Sequence, residues 1–249
     1  MVRACQPDTM ESITLSRSDG KAVPALVCGP VGAPAIVAIQ EWWGVDFEVK
    51  EHAQKIGGMG YRVLIPDLYR GKLGSEAEEA HHLMSNLDFP DAVVDVLACA
   101  RHLRAEGSPR CGVTGFCMGG ALAIGAAVRG ADVLDCAAPF YGYNAGLADV
   151  AECKVPMQAH FGALDTSAGF SDPAASAALA AKLAAATGKD GKPLEHEVFN
   201  YPTVGHGFLN ASAAGVERKA KLGQGAHDQA AVDLAWERLA VFFAKHLTA

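Results

Sequence analysis

A glycine-rich hexapeptide at residues 115–120 (GFCMGG) contains the side chain best suited to nucleophilic chemistry. It lies between a short apolar run at 110–114, which predicts a buried strand, and an alanine-rich stretch at 121–128, which predicts a helix. A strand-to-helix turn of this kind strains the backbone of its central residue, so the positions two before and two after it must be small. Gly115 and Gly119 occupy those positions, which predicts a nucleophile elbow with Cys117 in the usual serine position.

The same turn places the sulfur of Cys117 at the N-terminus of the predicted helix. Unpaired backbone N–H groups and the positive end of the helix dipole favour a thiolate there. The backbone amide of Met118 is directed to where an oxyanion would form during acyl transfer. The alternative interpretation is a glycine-rich turn around a buried cysteine, because the motif alone has only moderate specificity.

A base and a carboxylate follow Cys117 in the chain. Asp165 comes after a predicted strand at 156–161, and His206 comes after the last predicted strand at 194–201. The order nucleophile, acid, histidine is that of the α/β-hydrolase triad, and loops after strands are where α/β sites are built. Asp165 could instead cap a turn, although Asp172 is the better helix cap, and His206 could be an ordinary loop histidine.

The remaining histidines are interpreted as structural. His160 falls within a predicted strand and is expected to be a hydrogen-bonded core residue. The others are expected at the surface, mostly on helices: His52, His81, His82, His102, His196, His227 and His246.

Short apolar runs alternate with alanine-rich helical stretches along the chain, which predicts an α/β-hydrolase fold with a mostly parallel central sheet flanked by helices on both faces. Strands are predicted at 13–17, 23–28, 35–39, 61–65, 110–114, 136–141, 156–161 and 194–201, the first two as a hairpin at one sheet edge. Helices are predicted at 47–59, 75–85, 91–104, 121–128, 174–186 and 227–247. No repeat or linker interrupts the pattern, which predicts a single domain over residues 1–249.

Composition narrows the classes of partner. The 249 residues carry a net charge of -7 without a Lys/Arg-rich run, which argues against nucleic acid as a partner. The start of the chain lacks a signal-peptide pattern and no stretch is apolar enough to span a bilayer, so we expect a cytoplasmic protein without a membrane partner, either a monomer or a small homo-oligomer. Seven cysteines without paired CxxC spacing predict reduced thiols and no zinc site.

Several segments together resemble the dienelactone hydrolase (carboxymethylenebutenolidase) family of the α/β-hydrolase superfamily, from near Ser12 to near Leu247. They are 40–44 (QEWWG), 66–69 (PDLY), 115–120, Asp165 and 206–208 (HGF). The resemblance implies a hydrolase that opens ester or lactone bonds of small molecules without a metal or organic cofactor. It also implies that Cys117 attacks the carbonyl to form a thiolester acyl-enzyme, His206 exchanges the proton, and Asp165 orients the imidazole.

The resemblance assigns further residues. The family's oxyanion hole corresponds to the backbone amides of Met118 and Trp42. Glu41 matches a family glutamate that lies beside the resting thiol and influences when it ionises. The side chains of Trp42 and Trp43 belong either to the pocket wall or to the core. The candidate substrate-binding residues are Trp43, Tyr69, Phe208 and Asn210.

One departure from the family pattern concerns substrate charge. Well-known bacterial members carry an arginine four residues after the catalytic histidine to bind a substrate carboxylate, and this chain has Asn210 there. The segment 72–86, where those members carry another such arginine, contains none. An amide lacks the charge and fork geometry of a guanidinium, so weak recognition of anionic lactones is expected. Arg70 or Lys72 could compensate, but both are interpreted as solvent-facing loop charges.

Two alternative functions remain open from the sequence. The same triad could serve a thioesterase or a general carboxylesterase, because the pocket and not the triad selects the substrate. The fold could also be a non-catalytic binding protein, against which the complete triad argues.

Overall fold

One eight-stranded sheet forms the centre of the molecule. The computed structural model describes residues 10–248. The strands are β1 (Glu11–Ser16), β2 (Ala22–Cys28), β3 (Ala35–Ile39), β4 (Arg62–Pro66), β5 (Cys111–Phe116), β6 (Cys136–Phe140), β7 (Met157–Gly162) and β8 (His196–Tyr201). Their order is β1-β2-β4-β3-β5-β6-β7-β8, with antiparallel pairing at β1–β2 and β2–β4 and parallel pairing elsewhere. The predicted sheet and its edge hairpin are confirmed.

Seven α-helices lie between or after the strands in the described part of the chain. They are α1 (Phe47–Gly58), α2 (Ala77–Ser85), α3 (Phe89–Ala105), α4 (Met118–Arg129), α5 (Pro173–Ala184), α6 (Ala213–Lys221) and α7 (Gln229–Leu247). Helix α4 starts directly after Cys117, earlier than predicted. Helix α6 was not predicted, because it is only nine residues long and contains Gly215, which disfavours a helix. Ser212 caps this helix by accepting a hydrogen bond from the Gly215 amide at 3.0 Å.

Helices cover both faces of the sheet, as predicted. Along β3, the side chains of Ala35, Val37 and Ile39 pack into one core cluster together with residues of α3, α4 and α5. The intervening Ile36 and Ala38 pack into a second cluster with α1 and α7. Strands buried on both faces need continuous apolar runs, which is why β3 shows no polar alternation. Within residues 10–248, no helix is long and apolar enough to cross a membrane.

Two histidines besides His206 lie in the interior of the described part of the chain. His160 on β7 is fully buried, with Nδ1 2.9 Å from the Tyr201 hydroxyl and Nε2 3.1 Å from Oε1 of Gln158, which confirms its interpretation as a core residue. The interpretation of His52 as a surface residue was wrong. It is buried, and its ring lies 4.5 Å from that of Phe116, because α1 turns this position toward the sheet.

These two histidines make stability sensitive to acid. Burial lowers the pKa of His52 to about 4 and that of His160 to about 3. Between those values and the ordinary 6.5, the unfolded chain binds protons that the folded chain does not, so stability is lost as the pH falls through this window. We expect each histidine to remove roughly 3 kcal/mol between pH 6.5 and pH 4.

Urea unfolding at a series of pH values measures this loss. His160→Gln should flatten the pH dependence, whereas exposed His81→Gln should leave it unchanged. An unfolding free energy that stays constant from pH 7 to pH 4.5 in the wild type would contradict the prediction.

Candidate active site

Cys117 occupies a strained turn between β5 and α4. Its backbone angles are φ 55° and ψ −118°, a region that residues with a Cβ rarely adopt. A Cβ at Gly115 would collide with the carbonyl oxygen of Gly119, and a Cβ at Gly119 would lie 2.5 Å from the carbonyl oxygens of Ile39 and Gln40. The Cys117 amide donates to the Phe140 carbonyl at 3.1 Å. The backbone therefore has the predicted elbow geometry.

His206 and Asp165 meet at this turn from the loops after β8 and β7. His206 Nδ1 lies 2.7 Å from Oδ2 of Asp165, and the Cys117 side chain is close enough to the imidazole to raise the pKa of His206. The other carboxylate oxygen of Asp165 accepts from the Ser167 amide at 2.9 Å. All three predicted triad side chains are thus brought together and are largely buried.

The charges of the three groups reinforce one another. Burial lowers the pKa of His206, but the Cys117 thiolate charge and the hydrogen bond to Asp165 outweigh it and raise that pKa well above its ordinary value. Burial raises the pKa of Asp165, but the hydrogen bond and charge of His206 outweigh it and bring that pKa to about 2. The arrangement favours the protonated form of His206 beside the Asp165 carboxylate.

Two residues near His206 were not predicted from the sequence. The hydroxyl of Ser171 is fully buried and lies 3.0 Å from His206 Nδ1, beside the contact with Asp165. The half-buried ring of Phe170 lies 6.3 Å from the imidazole. Both precede the cap of α5, Asp172, so their sequence context indicates only the start of a helix.

Helix α6 braces the loop after β3, which carries the second predicted oxyanion donor. Trp42 lies in a turn closed by the Gly44 amide donating to the Glu41 carbonyl at 3.2 Å. Arg218 of α6 places its guanidinium carbon 4.5 Å from the ring centre of Trp43 and pairs with Asp46 at 2.7 Å. Met118 is the first residue of α4, so its amide has no acceptor within the helix.

Glu41 lies in a buried polar network. Its Oε1 accepts hydrogen bonds from the Tyr141 hydroxyl at 3.2 Å and from Nδ2 of Asn210 at 3.0 Å. Burial and the charge of Asp46 raise the pKa of Glu41, while the charge of His206 opposes them. The carboxylate is therefore close enough to the triad for its charge to act on it.

Four residues were predicted to bind substrate, and their surroundings in the structure differ from one to the next. The Tyr69 hydroxyl donates to Sδ of Met118 at 3.3 Å, so it lies beside the residue that follows Cys117, and burial raises the pKa of Tyr69. Trp43 is buried beneath Arg218.

Phe208 and Asn210, also predicted to bind substrate, are both buried and in contact with other side chains. Phe208 packs in the core, with its ring centre 4.9 Å from that of Tyr201. Asn210 uses Nδ2 on Glu41, and its Oδ1 lies 3.2 Å from Nε2 of His52. The sequence could not distinguish these inward orientations from pocket-facing ones, because burial of a loop residue depends on the elements packed over it.

The buried thiols differ in their surroundings. Burial raises the pKa of four of them, and all four are fully buried: Cys99, Cys111, Cys136 and Cys153. Cys117 instead lies at a helix N-terminus beside His206. We expect iodoacetamide near neutral pH to modify Cys117 at least about 100-fold faster than those four, because only a thiolate reacts.

Peptide mapping by mass spectrometry after timed labelling measures these rates. Denaturation in urea should equalise them and serves as the control. Uniform labelling of the native protein would contradict the prediction.

Within residues 10–248, no cluster of three or more His, Cys, Asp or Glu side chains is placed to bind a metal ion.

Several known proteins are similar to this chain. The sequence model of the dienelactone hydrolase family matches residues 23–247. A carboxymethylenebutenolidase from Pseudomonas putida is 32% identical over 220 residues, covering 82% of this chain and 88% of the relative. The match spans nearly the whole chain and therefore includes every element that positions the site.

Two solved structures share the fold. A dienelactone hydrolase-like promiscuous phosphotriesterase from metagenomic libraries superposes with a TM-score of 0.73 at 18% identity, covering 95% of this chain and 98% of the other. A dienelactone hydrolase from Anabaena variabilis gives a TM-score of 0.60 at 17% identity, covering 89% and 96%. These likenesses confirm the α/β-hydrolase fold, and the family match confirms the predicted enzyme class, a hydrolase. The chain belongs to the dienelactone hydrolase family.

Proposed function

We propose that this hydrolase opens ester or lactone bonds with Cys117 as nucleophile, His206 as proton carrier and Asp165 as the group that orients the imidazole. The observation that carries the proposal is the position of His206, between the thiol on one side and the carboxylate 2.7 Å away on the other. A triad is recognised by this geometry and not by position in the sequence.

In the acylation half-reaction, the sulfur of Cys117 attacks the carbonyl carbon and forms a carbon–sulfur bond. The carbonyl electron pair moves to oxygen, where the amides of Met118 and Trp42 would donate to the oxyanion. When the tetrahedral intermediate collapses, the carbon–oxygen bond of the ester or ring breaks and His206 transfers its proton to the leaving oxygen. A thiolester remains on Cys117; for a lactone, the freed hydroxyl stays attached to the acyl group.

In the deacylation half-reaction, water attacks the thiolester carbonyl while neutral His206 accepts its proton. The carbon–sulfur bond then breaks, which releases the acid and restores the thiolate and imidazolium pair. Asp165 keeps the Nδ1 proton in place throughout, so Nε2 is the nitrogen that carries protons to and from the reaction. No redox change occurs in either half-reaction.

Turnover across a panel of substrates separates this proposal from its alternatives. A small lactone, an aryl ester and an acyl-thioester should be compared at equal concentrations. The proposal expects lactone or aryl ester to have the highest kcat/KM, whereas a dominant thioester rate would favour a thioesterase. No turnover of any member would favour the non-catalytic binding interpretation.

Substrate charge is the next testable property. Three cations around the site have polar partners: Arg218 pairs with Asp46, Arg70 pairs with Asp95 at 2.5 Å, and Lys219 donates to the Phe208 carbonyl at 3.5 Å. Two of them are neutralised by carboxylates, so burying a substrate carboxylate there and near Glu41 is unfavourable. We expect a neutral lactone to be preferred over a carboxylated one by about tenfold or more in kcat/KM.

A carboxylated lactone and its primary amide are the matched pair for this measurement, since they differ in charge and hardly in size. A higher kcat/KM for the carboxylate would show that a cation in this site does bind anionic substrate.

A further inference from the structure

A chain of hydrogen bonds crosses the interior behind the triad. It joins four side chains from different elements: His52 from α1, Asn210 from the loop after β8, Glu41 from the loop after β3 and Tyr141 from the loop after β6. All four are buried. Of its members, the sequence singled out Glu41 and Asn210, and neither was expected to be linked to His52.

The amide of Asn210 fixes the direction of the bond to His52. Its Nδ2 donates to Oε1 of Glu41, so its Oδ1 faces His52 and can only accept. His52 must therefore carry a proton on Nε2 and donate it. Burial keeps this histidine neutral near pH 7, because it lowers the pKa to about 4.

The hydrogen bonds from Asn210 and Tyr141 determine where the charge of Glu41 lies. Oε1 of Glu41 accepts from two donors, Asn210 and Tyr141. If Asn210 did not donate, the buried carboxylate would keep only the hydrogen bond from Tyr141. Such a group becomes neutral more readily or rotates. A loss of this charge lowers the pKa of neighbouring groups, including the thiol and the imidazole of the site.

We propose that His52 is a positioning residue, which through Asn210 holds the Glu41 carboxylate in place against Tyr141, whose ring lies 5.2 Å from that of His206. This inference rests on the proposed function, because it concerns the same site. It assigns a role to the amide at position 210, which lies in the loop after β8 and contacts a histidine of α1.

Packing alone is the competing explanation for a buried histidine. The His52 ring lies 4.5 Å from Phe116 and 5.6 Å from Trp236, so removing it will also affect stability. A decisive experiment must therefore measure a property that packing does not move. The pH dependence of Cys117 alkylation is such a property, since it reports the thiolate directly and requires no turnover.

Other charged groups around Glu41 must remain in every variant. They are Asp46, Glu48, His206, Arg218 and Lys219, and Lys55 lies near His52. Because these groups are present in all variants, a difference between variants in the pH midpoint of Cys117 alkylation reports the substitution and not the surrounding charges.

The variants are chosen to separate donor from ring. His52→Phe keeps an aromatic ring and removes the donor, whereas His52→Gln keeps a donor near the position of Nε2. Asn210→Leu breaks the chain one residue further along, and Glu41→Gln removes the charge itself. His160→Phe is the matched control, because His160 is an equally buried histidine outside the chain.

We expect the midpoint for iodoacetamide modification of Cys117 to fall by about 0.5 to 1 pH unit in His52→Phe, Asn210→Leu and Glu41→Gln. His52→Gln and His160→Phe should keep the wild-type midpoint. In a Glu41→Gln background, His52→Phe should cause no further shift, because the charge it positions is already absent.

Three results would overturn the proposal: a wild-type midpoint in folded His52→Phe, an equal shift in the Glu41→Gln background, or the full shift in His52→Gln. If His52→Phe does not fold by circular dichroism, an unshifted Asn210→Leu overturns it equally well. Failure of the proposed function would look different, since turnover would then survive in Cys117→Ala whatever the alkylation midpoints are.

Discussion

Cys117→Ala is expected to lower kcat/KM for a lactone or aryl ester by at least about 10⁴-fold, because the substitution removes the atom that forms the acyl bond. The Cβ that the strained turn tolerates is retained, and the thiol lies at the edge of the interior with 9% exposure, so the fold should persist. Wild-type protein mixed with an activated ester should gain the mass of one acyl group on Cys117, and the variant should gain none. The rate and the mass together measure the effect.

A second cysteine provides the control for this experiment. Cys136 is fully buried on β6, and burial raises the pKa of its thiol, so Cys136→Ala should retain near-wild-type turnover while losing about 1 kcal/mol of stability. Turnover by folded Cys117→Ala at a rate close to that of the wild type would mean that another group attacks the substrate, and the proposed mechanism would be wrong.

The elbow and the convergence of Cys117, Asp165 and His206 could be predicted because local sequence and the order of the elements determine them. A φ of 55° at Cys117 requires small residues at 115 and 119, and the side chains there are a hydrogen atom each. The carboxyl ends of β5, β7 and β8 lie along one edge of a parallel sheet, so residues in the loops after them converge without long-range information. The order nucleophile, acid, histidine along the sequence then predicted Asp165 as the acid and His206 as the histidine.

The supports of the site could not be predicted in the same way. The contact of Ser171 with His206 and that of His52 with Asn210 join positions 35 and 158 residues apart and depend on how α1 and the loops pack. A histidine on an amphipathic helix has the same sequence context whether it faces solvent or a buried amide. Helix α6 is short and contains glycine, so its brace through Arg218 became visible only in three dimensions.

Gly119→Ala should damage both stability and turnover, although it adds a single methyl group. The new Cβ would lie 2.5 Å from the carbonyl oxygens of Ile39 and Gln40, which are backbone atoms and cannot rotate away. The loop after β3 must move instead, and this loop carries the Trp42 amide proposed to bind the oxyanion. We expect a loss of about 2 to 3 kcal/mol in the free energy of unfolding. Displacing one oxyanion donor should lower kcat by about 100-fold.

Gly58→Ala is the matched control, because Gly58 is also helical and a Cβ there meets no atom within 4 Å. Replacing glycine by alanine in open helical space reduces the freedom of the unfolded chain, so this variant should be neutral or more stable by up to about 1 kcal/mol, with unchanged kcat. The comparison isolates the steric contact from the general effect of glycine replacement. If Gly119→Ala unfolds at the wild-type urea concentration and retains kcat, then the elbow and the oxyanion loop are not in rigid contact, and the geometry assigned to Trp42 is wrong.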